Sequence, residues 1–472
     1  MDKSTLSNYG WIVIVTLVLA VMLALASPFG SYVAKGFENT YTSFTQTLST
    51  GLGQKFTYSE IEKDPHLYGI GKTKPEFVIA EYNDDYTEVT IYKNGIDSDG
   101  LMKDWEYKTT SVFQEHKETL KKVVFENGIK CIGNYAFMGC KNIEKIKLPS
   151  TIEEVGMSTF SNCYKLQETE LPESLKILGK SAFSLTNLKS IEIPDNLISL
   201  GAYSFQNCSK LESVKLSPNL TVIDDGTFQS CSALKEIIIP DNVINIGISA
   251  FSNCSQLSNV VLSKNTKKLC ASSFASCRSL SSIELPQSLE FIGSGAFADC
   301  IKLKELTIPQ NVNRMEMSVF SGCTNLKKIT MQHNINGTPK ELCLGSLVYD
   351  QLEELYLGDG PYNALWSSIS TNCPYYTNKD NWDGSGLYSN NVLVAVDRTI
   401  DGDFVVREGT VCLMTGAILS NAPELTSITI PESVKYIYPS FYPHSNPVII
   451  YGKTGSAAET WANARNYTFI AI

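Results

Sequence analysis

The segment LKEIIIPDNVINIGISAFSNC, residues 234–254, decides the fold because it recurs along the chain. Its template reads L-x-x-I-x-I-P-x-x-V-x-x-I-G-x-x-A-F-x-x-C, and the next copy begins at Leu257. A fixed period of this length is the sequence signature of a repeat array. The phenylalanines mark the period, with steps of 23 residues and one step of 22, at Phe137, Phe160, Phe183, Phe205, Phe228, Phe251, Phe274, Phe297 and Phe320.

Each copy of the template predicts one coil of a solenoid. Isoleucines alternate as in a strand, and Pro240, which has no N–H to donate, ends the strand ladder. Gly247 suits a corner where a β-carbon would clash. Spacings of three and four residues between Ala250 and Leu257 predict one or two helical turns. Because one coil cannot bury its apolar side alone, the predicted fold class is a β-rich α/β solenoid, an array of about 23-residue coils of strand, turn and short helical turn.

A cysteine follows the phenylalanine by three residues in almost every copy. Metal ligation, disulfide bonding and simple burial each explain such a column. Zinc sites need paired Cys-x-x-Cys or Cys/His groups, and no two cysteines here have that spacing. Stacked α-carbons about 5 Å apart permit disulfides, so that alternative stays open. Burial as a small hydrophobe is favoured, because Leu185 or Thr186 takes the cysteine position in the 22-residue copy. The other copies have Cys140, Cys163, Cys208, Cys231, Cys254, Cys277, Cys300 and Cys323.

Composition argues against several functional classes. The net charge of −10 repels phosphate backbones, so we expect no nucleic-acid partner. The four histidines stand far apart in sequence, and neither a phosphate loop nor an HExxH motif occurs. We therefore predict no enzyme activity, no cofactor and no metal site. A catalytic module hidden in 332–385 or 31–119 would have to use Cys343, Cys373 and His333.

The apolar N-terminal segment predicts export. Residues 11–29 are almost wholly apolar and follow Lys3, and "ALAS" at 24–27 has the form of a signal-peptidase site. Residues 1–30 are thus predicted as a secretory signal peptide or an N-terminal membrane anchor, and the polar residues 31–75 as a tether. Either alternative places the rest of the chain outside the cytoplasm, as a membrane-anchored cell-surface protein or a secreted one.

The repeat IGxxAFxxCxxLxxIxIPxxV resembles the BspA-type leucine-rich repeat, a family of mainly bacterial surface proteins. Three flanking segments are also similar to parts of that family: residues 82–105 to its N-terminal strands, 386–411 to its hairpin insertion, and 449–472 to its strand–helix–strand end. The resemblance implies adhesion to host or neighbouring-cell proteins. It also implies four segments, namely an N-terminal strand-rich cap (76–119), regular repeats (120–331), divergent repeats with a hairpin insertion (332–448) and a C-terminal cap (449–472).

The solvent-facing side of the repeated strand offers a binding surface. In each L-x-x-I-x-I strand the third and fifth places alternate with the buried pair. Ile238 and Val261 occupy fifth places in adjacent copies and form an apolar centre, which is the usual anatomy of a protein contact. The preference of β-branched residues for strands explains them equally well. The predicted polar rim comprises Glu236, Asn259, Lys215 and Glu284.

We therefore expect a non-catalytic binding protein whose partner is an extracellular or host protein, or a glycan. The alternative is a structural spacer, tethered to the membrane, that has no specific ligand.

Overall fold

The structure, a computed structural model, describes residues 56, 58–107, 111–332, 351–358, 372–414, 424–438 and 448–472, with the backbone of Glu341–Leu342. It is a β-solenoid of about 13 coils, each of about 23 residues. The predicted signal or anchor at 11–29 lies outside the described residues. Within them the longest α-helix has 7 residues, so none is long and apolar enough to cross a membrane.

One face of the solenoid is a parallel ladder of longer strands at the L-x-x-I-x-I motif. Neighbouring strands pair one repeat apart, as Ile237 does with Val260. In Glu236–Ile238 the middle residue is buried and the outer two are exposed, which confirms the predicted alternation. This long-strand ladder comprises Lys122–Phe125, Lys145–Lys147, Ser190–Glu192, Ser213–Lys215, Glu236–Ile238, Asn259–Val261, Glu305–Ile308, Lys328–Met331 and Glu354–Leu357.

A second parallel ladder consists of two-residue strands and follows the proline turn of each coil. Gly247 comes directly after one of them, and a β-carbon there would lie 2.7 Å from backbone atoms of Asp224 and Asp225 in the preceding coil. The predicted tight corner is therefore confirmed. The short-strand ladder comprises Cys131–Ile132, Glu154–Val155, Ile177–Leu178, Ser199–Leu200, Val222–Ile223, Asn245–Ile246, Lys268–Leu269, Phe291–Ile292, Arg314–Met315 and Glu341–Leu342.

The segment after the corner is a succession of turns, where the spacing predicted one or two helical turns. The Ser252 N–H donates to the Ser249 carbonyl at 3.1 Å, whereas the Phe251 N–H donates to Ser273 of the next coil at 2.8 Å. A helix would direct both N–H groups along its own axis, which would leave neighbouring coils unlinked here. Turns and helices share the three-residue spacing, which is why the pattern did not separate them.

Two backbone positions in each of these turn segments are left-handed. They lie two residues before and two residues after the phenylalanine, as at Ser249 (φ 55°) and Asn253 (φ 60°). Left-handed backbone strains most side chains, but Gly, Asn and Asp tolerate it best. The frequent Ser, Asn, Asp and Gly residues at these two positions are thus the local sequence signal for the turns.

The phenylalanines stack into one buried column along the solenoid. From Phe137 to Phe320, successive ring centroids lie 5.3 to 6.2 Å apart, with ring planes within 17° of parallel. Phe113 extends the column by one ring, 4.1 Å from Phe137. Burying each ring stabilises the fold by about 1.5–3 kcal/mol, so the column is a continuous core.

The cysteines form a second buried column beside the rings. The Cys254 thiol donates to the Phe228 carbonyl of the preceding coil at 3.1 Å. Each of the other seven cysteines of the column donates to the phenylalanine carbonyl of its own preceding coil, at 3.0–3.5 Å. None of the eight is in a disulfide. In the 22-residue copy the buried Thr186 takes the position, and its hydroxyl donates to Phe183 of its own coil at 2.9 Å. Burial raises the pKa of Cys254 to about 12, so the thiols stay protonated.

The N-terminal strands extend the long-strand ladder. Val78–Tyr82 pairs antiparallel with Leu67–Gly69 and with Glu88–Lys93, and Glu88–Lys93 then pairs parallel with Lys122–Phe125. This sheet covers the edge that the first coil would otherwise expose. The segment also has the α-helix Tyr58–Lys63 and the 3-10 helices Pro75–Phe77 and Gln114–His116.

The C-terminal part combines an antiparallel hairpin with further coils. Gly386–Ser389 and Val392–Val396 form the hairpin, with Trp382–Asp383 paired to its first strand. Parallel strands then complete the array at Gly402–Val405, Cys412–Leu413, Leu425–Ile430, Tyr436–Ile437, Ile449–Gly452 and Thr468–Ala471. The helices of this part are Pro374–Thr377, the 3-10 helix Lys379–Asn381 and Ala457–Asn463. The boundaries of the predicted segments stay predictions.

Candidate binding surface

Ile238 and Val261 lie side by side on the solvent face of the long-strand ladder. They are direct register partners on neighbouring parallel strands, a spacing of about 4.8 Å. Ile238 is 63% exposed and Val261 is 47% exposed. Their chain neighbours Ile237 and Val260 are buried in the core, so the strand backbone holds the two exposed side chains in place.

Polar residues surround this apolar pair. Glu236 pairs in register with Asn259 on the same two strands, and both are exposed. Lys215 lies one coil before Ile238 and forms an exposed ion pair with Glu192, which raises the pKa of Lys215 through a hydrogen bond. Such exposed pairs contribute little to stability, so this ion pair matters for the charge of the rim rather than for the fold.

The six residues predicted to form the binding surface are not all held by the same pair of strands. The four central residues, Ile238, Val261, Glu236 and Asn259, form two registered pairs on adjacent strands. Glu284 is exposed one coil later, in a segment to which no strand is assigned. Lys215 belongs to a strand that pairs with Ser190–Glu192 rather than with the strand of Ile238. The two outer residues are thus held less regularly than the central four.

Further exposed apolar residues, which the sequence analysis did not single out, lie on the short-strand ladder or directly beside its strands. They are Ile177, Ile198, Val222, Ile244 and Ile248. Polar residues interrupt them, because Ile177 pairs in register with Ser199, and Val222 with Asn245. Ile238 was located by aligning the first strand of each repeat. The same alignment of the second strand would have located these residues.

Two of the four histidines pack against one tyrosine near the N-terminal strands, although they are far apart in sequence. The rings of His66 and His116 both stack against the ring of Tyr86, with centroids 4.8 Å and 4.2 Å from it. Tyr82 packs 4.7 Å from His116, and its buried hydroxyl has no hydrogen-bond partner among the described residues. Burial lowers the pKa of His116; the Glu115 carboxylate opposes this shift and His66 adds to it.

Of the three residues named as candidates for a catalytic module, only Cys373 lies within the described residues. Cys373 is buried, and its sulfur accepts the Tyr376 N–H at the start of the helix Pro374–Thr377. Cys343 and His333 lie outside the described residues. In the part of the chain that the structure describes, no group of three or more His, Cys, Asp or Glu side chains is arranged to hold a metal ion.

Comparison with known families identifies the repeats. The profile described as "BspA type Leucine rich repeat region" matches residues 109–235 and 221–343, with 6 copies. The repeat region of this chain belongs to the BspA-type leucine-rich repeat family. The match begins just before Phe113 and covers the stacked phenylalanines of the BspA-type coils. No curated protein matches the chain.

Solved structures with the same architecture come from bacteria. A leucine-rich repeat protein from Bacteroides ovatus has a TM-score of 0.53 and 19% identity over 84% of this chain and 98% of that chain. This likeness supports the solenoid fold. A leucine-rich repeat protein from Eubacterium ventriosum has 21% identity over 62% of this chain and 84% of its own, with a TM-score of 0.43. A leucine rich cell surface protein from Faecalibacterium prausnitzii has 23% identity over 57% and 95%, with a TM-score of 0.33.

Proposed function

We propose that this chain is a non-catalytic, exported binding protein that attaches to a partner protein through the outer wall of its long-strand ladder. The observation that carries the proposal is the registered, exposed pair Ile238 and Val261 within a polar surround. The two exposed side chains add little to the packing of the fold, because the buried Ile237 and Val260 already hold the same strands against the core. In a protein contact the same pair would form the dry centre.

We favour the exposed face of the long-strand ladder over the short-strand ladder as the binding site, because its two exposed apolar residues are adjacent. Hot spots cluster in a compact centre that excludes water. Ile238 and Val261 are immediate neighbours across two strands, whereas Ile177 and Val222 each face a polar residue in register. The wall also has a regular, stiff backbone, so little ordering cost accompanies binding.

Export is part of the proposal and depends on the apolar segment 11–29 and on the bacterial surface proteins that share the repeat. The buried thiols are compatible with either redox environment, since each one is satisfied by a carbonyl oxygen and lies out of contact with solvent. Mass determination of the mature N-terminus distinguishes a cleaved signal peptide from a retained membrane anchor.

A capture experiment tests the proposed function. The exported region, immobilised, is exposed to candidate extracellular-matrix and cell-surface proteins, beside the variant Ile238→Asp/Val261→Asp and the matched variant Ile198→Asp/Ile244→Asp. We expect saturable capture by the native chain and by the short-strand variant, and loss of capture by the long-strand variant. Capture that survives Ile238→Asp/Val261→Asp would overturn the assignment of the site. No saturable capture by the native chain would favour the spacer alternative.

A further inference from the structure

A polar cleft of about 650 Å³ lies beside the hairpin and next to Gly358, which follows the strand Glu354–Leu357. Its lining comes from the 3-10 helix and short strand that precede the hairpin, from the hairpin turn, and from the strand end that follows. The residues that carry the argument are Asp380, Trp382, Asp383, Tyr388, Asn390 and Arg407. Nothing in the repeat motif requires this combination of side chains.

The base of the cleft is a fixed pair, Tyr388 and Arg407. The guanidinium of Arg407 lies 4.2 Å from the centre of the Tyr388 ring, and the Arg407 backbone N–H donates to the tyrosine hydroxyl at 2.9 Å. The guanidinium also donates to the Asn390 carbonyl and lies 3.8 Å from the Asp383 carboxylate. Stacking and hydrogen bonding together hold these donors in one geometry, so a ligand would meet a preorganised site.

An aromatic wall stands next to this base. The Trp382 indole N–H donates to the Tyr376 carbonyl at 2.7 Å, and its ring packs edge-on against Tyr376 at 5.0 Å. The indole is half-buried, and the Lys379 ammonium lies 5.8 Å from the centre of its ring, so part of the ring is left for a ligand. An aromatic surface fixed in this way can pack against the C–H face of a ligand.

The polar groups at the rim are ready to accept hydrogen bonds. Asp380 is exposed, and its carboxylate has no hydrogen-bond or ion-pair partner among the described residues, since only its backbone N–H is used, by Asn378. Asp383 supplies a second carboxylate, and the Asn390 side chain is anchored through its NH₂ to the Leu357 carbonyl at 2.8 Å, which leaves the amide oxygen as an acceptor.

The chemistry of this lining selects a class of ligand. The two carboxylates balance the Arg407 guanidinium and the Lys379 ammonium beside Trp382, so the charges favour neither an anion nor a cation, and the described residues have no three-ligand group for a metal ion. Carboxylate oxygens accept hydrogen bonds from hydroxyl groups, the guanidinium donates to hydroxyl oxygens, and Trp382 covers an apolar face. We infer that this cleft binds a neutral saccharide. The site is separate from the proposed protein contact and does not depend on it.

The test uses the whole exported chain and a panel of neutral oligosaccharides of glucose, galactose, mannose and N-acetylglucosamine, with affinity measured by calorimetry. We expect saturable binding of at least one of them. Asp380→Ala and Trp382→Ala should each weaken it by about tenfold or more, equivalent to about 1.4 kcal/mol. Asp380→Asn keeps an acceptor oxygen and should lose less. Glu408→Ala, which removes an exposed carboxylate outside the lining, should bind within about twofold of the native chain.

Three results would overturn the inference: no neutral oligosaccharide binds, only charged glycans or peptides bind, or both Asp380→Ala and Trp382→Ala bind like the native chain. Asp380 makes no side-chain contact that the fold needs, so its variant remains informative even if Trp382→Ala lowers the melting temperature. Ile238→Asp/Val261→Asp should leave saccharide binding unchanged, which separates a failure here from a failure of the proposed function.

Discussion

The thiol of Cys254 donates to the carbonyl oxygen of Phe228, 3.1 Å away in the preceding coil. This bond joins the cysteine column to the phenylalanine column, because the carbonyl belongs to the residue whose ring stacks below Phe251. The cysteine is therefore a small buried group whose thiol adds a second hydrogen bond to a carbonyl that already accepts the Cys231 N–H at 3.1 Å. The position needs a small side chain whose donor is satisfied, and Thr186 meets that need in the 22-residue coil by donating to the Phe183 carbonyl of its own coil.

Replacing Cys254 tests the role of this donor. Cys254→Ala removes one of the two hydrogen bonds that the Phe228 carbonyl accepts, the other being that of the Cys231 N–H, and opens a small cavity, so it should lower the free energy of unfolding by about 1–2 kcal/mol. Cys254→Thr supplies a hydroxyl donor for the carbonyl of its own coil, as Thr186 does, and should cost less. Denaturant titration measures both changes. A threonine variant no more stable than the alanine variant would contradict the donor role.

The ring column predicts a larger loss. Phe228 is buried, with stacked neighbours 5.6 Å and 5.5 Å away in the coils on either side. Phe228→Ala should lower the free energy of unfolding by about 3–5 kcal/mol. The coils on its two sides should then unfold separately, since each coil is supported only by its neighbours. Ile248→Ala, a deletion at an exposed position in the next coil, should change it by at most about 0.5 kcal/mol. Equal effects in thermal melts would refute the buried column.

Thiol reactivity separates buried from accessible cysteines. Cys254 and Cys277 are fully buried, and burial raises the pKa of both thiols; Cys270, outside the column, is half-buried. A maleimide at neutral pH should modify Cys270 well before either ladder cysteine, and denaturant should remove the difference. Peptide mass mapping gives the order. Labelling of Cys254 as fast as Cys270 in the folded chain would be inconsistent with the dry column.

The histidine cluster predicts a pH dependence of stability. Burial lowers the pKa of His116 below its ordinary value of 6.5, so the unfolded chain binds this proton more readily than the folded chain. The free energy of unfolding should then be highest above about pH 6.5 and fall as the pH drops below it. His116→Phe removes the titrating group, keeps a ring against Tyr86, and should lose less stability between about pH 7 and pH 5. Parallel pH curves for the two chains would exclude this effect.

Sequence patterns predicted the features that recur. The 23-residue period located the ring column, the cysteine column and the exposed places of the long strand, because equivalent residues in a stack lie over one another. The same period could not distinguish a helical turn from successive β-turns, since residues such as Ala250 and Cys254 have the same spacing in both. Hydrogen bonds to the next coil, as from Phe251 to Ser273, decide between them.

Features that occur once were not predictable in this way. His66 and His116 are brought to Tyr86 by the register of the N-terminal strands, which no repeat specifies. Trp382 and Arg407 line one cleft because of the hairpin, which is not part of the repeat. Such contacts depend on tertiary placement between residues many positions apart, whereas composition and periodicity report only local and repeated structure.

The central claim is that the exposed face of the long-strand ladder binds the partner. The buried phenylalanine and cysteine columns only support that face. The most direct measurement is the affinity of the captured partner for three chains: the native chain, Ile238→Asp/Val261→Asp and Ile198→Asp/Ile244→Asp. We predict that the long-strand variant binds at least about tenfold more weakly, because charge in a dry centre is costly, while the short-strand variant keeps the native affinity. Native affinity in the long-strand variant would contradict the account, whatever the affinity of the short-strand variant.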